Sequence, residues 1–80
     1  KNEMIVWHVT TFKKLLKYSQ SGFIKAPVRA WENFEQAERM SKSTDRKIIL
    51  RLKFPSNATK LEGHFNQARI IQQNYKMGNF

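Results

Sequence analysis

Between Arg46 and Pro55 the chain alternates. Ile48, Leu50, Leu52 and Phe54 fall on one side of an extended backbone, and Lys47, Ile49, Arg51 and Lys53 on the other. A period of two over eight residues predicts a strand with two unlike faces, and Pro55, which cannot donate to a ladder, stops it. A second run, "EMIVWHV", carries Ile5, Val6, Trp7 and Val9, the β-branched and aromatic types that fit a pleated surface. Between these runs the period changes. Phe12, Leu15 and Leu16 recur at helical spacing behind Thr10 or Thr11, either of which can cap, and Gly22 can end the helix in a left-handed turn. Lys13, Lys14 and Lys17 cover the outer surface of that helix.

Asn33 and Gln36 have capping-box spacing, and Phe34, Ala37 and Met40 then form one apolar stripe. Glu32, Glu35 and Glu38 precede or occupy the first turns, where the helix dipole favours carboxylates, while Arg39 and Lys42 lie toward the end. This is the best-specified local element. Pro27 disfavours helix at Ala26 and leaves a short edge strand over Phe23–Lys25. Ser43, Thr44 and Asp45 read as a turn. Beyond Pro55, "KLEGH" and "QARIIQQ" read as shorter strands with Gly63 at a bend, and residues 74–80, without periodicity, read as a flexible tail. The expectation is a single α+β domain over residues 1–80. Two helices pack on one face of a three- to five-stranded mixed, mainly antiparallel sheet, in which the strands after the second helix pair with one another.

Charge changes the picture more than composition does. Fifteen Lys and Arg face six Asp and Glu, a net +9 on eighty residues. The excess is uneven: +5 over residues 1–30 (six basic, one acidic), −2 over 31–45 (two and four) and +6 over 46–80 (seven and one). A field of this sign favours nucleic acid or an acidic protein as partner. The sequence has no cysteine, and its two histidines, His8 and His64, cannot close a structural zinc site, so no metal is expected. The longest aliphatic run, Ile48-Ile49-Leu50, is far below the roughly twenty residues of a membrane span. Neither helix combines a broad apolar face with a basic one, so no membrane partner is expected, and the protein reads as cytoplasmic. Small basic domains of this composition are compatible with phage or mobile-element accessory proteins.

If both helices cover the Leu50 side, Lys47, Arg51 and Lys53 lie on an open sheet face. Together with Lys13, Lys14 and Lys17 they form the candidate nucleic-acid contacts, acting through backbone phosphates. The structural alternative is a wetted face that keeps an antiparallel sheet apart from its neighbours. "KAPVRAW" places Lys25, Arg29 and Trp31 near a helix start, where Arg29 could fork to a phosphate or carboxylate, although the nearby glutamates oppose an anion there. Equally, Trp31 is a core or rim residue. No Gly-rich phosphate loop, serine triad or cysteine nucleophile is present, and no catalytic residues and no bound cofactor are assigned.

"WHVTT", with a His two residues before a Thr, followed by a helix and then Gly-Phe-Ile, resembles the first motif of the ADP-ribosyltransferase-like fold. The resemblance covers about half of the chain. It implies that His8 and Thr10 hold the nicotinamide ribose of NAD, and it asks for a glutamate or histidine on a later strand. Glu62 and His64 are the residues on hand, neither within a matching motif, so the resemblance implies a degenerate relative. A lone strand histidine at a sheet edge accounts for His8 as well. Three readings therefore stand open: a nucleic-acid-binding module, a small interaction or inhibitor protein docking on an acidic surface, and a degenerate NAD-binding protein.

Overall fold

The computed structural model describes residues 3–63 and 67–77. The chain runs β1 (Glu3–Thr10), α1 (Phe12–Ser21), β2 (Phe23–Ile24), β3 (Val28–Trp31), α2 (Phe34–Thr44), β4 (Ile48–Pro55), β5 (Thr59–Lys60), β6 (Ala68–Ile71) and β7 (Tyr75–Lys76). It is an α+β domain: a five-stranded sheet in the order β4-β1-β3-β6-β5, two helices, and a separate two-stranded sheet of β2 and β7. The described pairings are all antiparallel. The two clearest strands of the sequence, β1 and β4, form the longest ladder, from Glu3↔Pro55 to Thr10↔Ile48.

Local chemistry sets the helix ends. Thr11, in an extended conformation, accepts the amide of Lys14 at 3.2 Å, and Gly22 closes α1 at φ 85° with its N–H on the carbonyl of Tyr18. Asn33 caps α2 through the amide of Glu35 at 2.7 Å. Asp45, rather than a glycine, takes the left-handed position after α2, at φ 57°. An Asp tolerates this conformation better than most residues.

The helices divide between the two faces, where the pattern predicts that they share one. Register partners project to the same face, so Met4, Val6, His8 and Thr10 lie with Phe54, Leu52, Leu50 and Ile48. Onto this face come Tyr18 of α1, beside His8 and Thr10, and the β2–β7 pair, with Tyr75 packed on Phe54. The main core sits here: Val6, Val28, Leu52 and Phe54 with Ile24, Ala30 and Ile71. On the other face Phe34 of α2 meets Trp7 edge-on at 5.1 Å. Trp31 donates its indole N–H to the sulfur of Met40 at 3.2 Å, and Ala37 is fully buried. The small side chain of Ala37 lets α2 lie close to β1, where Val9 is also buried. Both faces of the sheet therefore need cover, and each receives one helix.

Three further expectations are corrected. β3, a segment to which the pattern assigns no element ahead of the helix start, is a central strand that pairs with β1 at Trp7↔Trp31 and with β6 over its whole length. β4 does not pair with β5 or β6 but stands at the far edge of the sheet beside β1. The segment read as a tail contains β7, in register with β2 as Phe23↔Lys76 and Ile24↔Tyr75. Arg69 ties the β4–β5 turn to this frame: it pairs with Glu32 and donates to the carbonyl of Ala58 at 2.6 Å. The radius of gyration is 12.0 Å, against roughly 12 Å for a compact single domain of this length.

Candidate functional site

β1 and β3 are paired at a single position, Trp7↔Trp31. Beyond it the ladder does not continue, and the Arg29 carbonyl accepts the Nδ1–H of His8 at 2.7 Å. A side chain thus bridges where backbone would normally pair. The opening between the strands, widened by α1 on one side and the β2–β3 loop on the other, is a cleft of about 620 Å³. That lies within the range of ligand sites, about 300–1,000 Å³.

Four segments supply its cations. Lys14 and Lys17 project from α1, Lys25 from the β2–β3 loop, Arg29 from β3, and Arg46 from the link between α2 and β4. Lys14, Lys17 and Tyr18 share one side of α1 because residues three and four apart lie over one another. Among the described residues no carboxylate lines the cleft and none of the five cations is in an ion pair. The glutamates that seemed to oppose an anion are placed elsewhere. Glu32 is held by Arg69, while Glu35 and Glu38 are exposed on α2. Five uncompensated charges around one space repel each other, and a polyvalent anion would relieve that repulsion.

Apolar and aromatic side chains, among them Ile24, Ala30, Tyr18 and Trp31, share the lining with these cations. His8 is half-buried among them. Because a carbonyl can only accept, the bond to Arg29 fixes the proton on Nδ1 and leaves Nε2 as acceptor, 3.4 Å from the hydroxyl of Tyr18. Burial holds the His8 imidazole below its ordinary range. The Arg29 carbonyl works against that shift, and the charges of Lys14 and Arg46 add to it. At neutral pH His8 is an uncharged positioning group between β1, β3 and α1.

Of the sequence candidates, His8, Arg29, Trp31, Lys14 and Lys17 meet at this cleft. Thr10 does not line it. It is buried, with its hydroxyl 3.4 Å from that of Tyr18, and braces the group that contacts His8. Lys13 lies on the outer side of α1. Lys47 is paired with Asp45 at 3.4 Å, with both side chains exposed. Arg51 and Lys53 are the register partners of Trp7 and Ile5, on the face that carries α2, so the six lysines and arginines of the expected nucleic-acid surface do not share one face. Arg46 and Tyr18 were missed. The only signal for Tyr18 is its i+4 spacing from Lys14, and nothing local marks Arg46. Glu62 is exposed in the turn after β5 and does not line the cleft, and His64 lies outside the described residues. Among the described residues no cluster of metal-binding side chains occurs and no helix is long and apolar enough to cross a membrane. Comparison with protein-family models, with curated proteins and with solved structures finds no match to this chain.

Proposed function

We propose that the protein is a small binding module for nucleic acid, engaged through phosphates at the cleft between β1 and β3. The observation that carries this reading is the convergence of Lys14, Lys17, Lys25, Arg29 and Arg46 on one concave space whose described lining holds no carboxylate. Phosphate oxygens meet the cations, and a base or sugar rests against the aromatic walls at Tyr18 and Trp31. This differs from a flat sheet platform: the contacts come from α1, β3 and two connections, not from the exposed side of β4. Binding of single-stranded DNA, RNA and duplex DNA is measured across a salt series. Affinity falls steeply with salt, each neutralised phosphate contributing about −0.7 to the log–log slope on a single strand. Arg29→Ala and Arg46→Ala weaken binding, whereas Arg51→Ala and Lys53→Ala leave it within about twofold, as expected for charges remote from the ligand. Absence of binding at low salt ends this reading.

The placement of His8 in the same cleft favours a second reading, a degenerate NAD site of the ADP-ribosyltransferase-like kind, since the pyrophosphate of a dinucleotide suits the same cations. Titration with NAD while following the fluorescence of Trp7 and Trp31 tests it, and a flat response through millimolar NAD removes it. Docking on an acidic protein draws support from α1, where Phe12 is 63% and Leu16 46% exposed beside Lys13. A stoichiometric, nuclease-insensitive complex that Phe12→Ser abolishes would replace the nucleic-acid reading.

A further inference from the structure

We infer, resting on the nucleic-acid reading above, that the cleft takes the phosphorylated end of a strand rather than an internal stretch of one. The first reason is shape. A polynucleotide that passes through a site needs a groove open at both ends. Here β1 and β3 come together at Trp7↔Trp31, and Trp31 is in turn held by Met40 of α2, so the gap between the two strands ends at that pair.

The second reason is charge. An internal phosphodiester brings one negative charge, whereas a terminal monoester brings about 1.5 to 2 at neutral pH. Five cations around about 620 Å³ exceed what one diester neutralises, and a monoester offsets more of that excess with a single phosphate than a diester does. The third reason is geometry. Arg29 and Arg46 carry planar forks that bind two oxygens of one phosphate, and a monoester offers three such oxygens where a diester offers two. His8, kept neutral and tied to the Arg29 carbonyl, fixes the backbone from which the Arg29 side chain extends. Its role is positional, and the charge needed for an anion comes from its neighbours.

The test uses the full chain and one single-stranded oligonucleotide made in three forms: both ends hydroxyl, 5′-phosphate, and 3′-phosphate. Affinities are read by anisotropy at physiological salt. At least one phosphorylated form binds about tenfold tighter than the hydroxyl form, the gain expected of one added charge-assisted contact. The better form gives the polarity, and equal gains from both give a monoester site without polarity. Arg46→Ala and Arg29→Ala erase the gain. Should either variant unfold, pyrophosphate on the unaltered chain serves instead, competing more strongly against the phosphorylated form than against the hydroxyl form. Three equal affinities that retain a steep salt dependence overturn this inference and leave the nucleic-acid reading standing. Failure of all three to bind at low salt overturns both.

Discussion

His8 shows how one side chain can join several elements. Its Nδ1–H reaches the Arg29 carbonyl on β3, and Nε2 faces Tyr18 on α1, so imidazolium formation would set a charge beside Lys14 and Arg46. Because the folded pKa is depressed, the unfolded chain takes up this proton first as pH falls. The stability that His8 contributes is therefore complete above about pH 6.5 and declines as pH drops below it toward the folded value. Urea midpoints at pH 7.5 and 5.5 should fall for the unaltered chain, and by less for His8→Gln. Arg69 makes the opposite case, a charge that is buried because it is paired. Its guanidinium is bound to Glu32 and to backbone carbonyls of the β4–β5 turn, so Arg69→Ala strands a half-buried carboxylate. A loss of about 3 kcal/mol is expected by chemical denaturation, recovered in part by the double change with Glu32→Gln. Neither pairing was legible in the sequence. Twenty-one residues separate His8 from Arg29, and thirty-seven separate Glu32 from Arg69.

Elements were legible in proportion to their periodicity. α1 and α2 carry an apolar stripe at helical spacing, β4 alternates over eight residues and β1 is rich in β-branched and aromatic types, and all four form where the sequence puts them. β3 escaped notice because "VRAW" is four residues long, follows a proline and precedes a helix cap, so its alternation is too brief to stand out. β7, at two residues, has no period at all, and its place follows from Tyr75 filling space against Phe54. The division of the helices between faces was also hidden. Each helix has a single stripe, and a stripe does not say which side of a sheet it will meet. Caps, by contrast, act locally. Asn33→Ala removes the acceptor for Glu35 N–H and should cost about 1 kcal/mol. α1 has no fully buried residue, so most of its stability comes from Tyr18, Leu15 and its caps. Hydrogen exchange should find its amides less protected than those of β1 and β4, which share the longest ladder.

At the scale of the molecule, the core is thin and lies mainly on one side of the sheet. Phe54, with no exposed surface, is the largest of its fully buried residues. Phe54→Ala should cost about 3–5 kcal/mol, against a total of about 4–12 kcal/mol for a domain of eighty residues. Circular dichroism on heating should show this variant partly unfolded at room temperature or melting far earlier. That five basic residues from four segments gather at one opening is not visible in the sequence, because nothing in a linear pattern encodes where β1 and β3 part. The sequence did contain most of the participants, and the fold chose among them.

The basic side of β4 has another consequence. Being outermost in the sheet, this eight-residue strand has β1 on one flank, while on the other the amide of Lys53 is met by the Tyr75 hydroxyl at 2.9 Å. Long exposed strands recruit copies of themselves unless charge forbids the approach. Arg51 and Lys53 then act as mutual repellents between molecules, and exchanging both for threonine should leave a folded chain that scatters light as it self-assembles at concentrations where the parent remains dispersed.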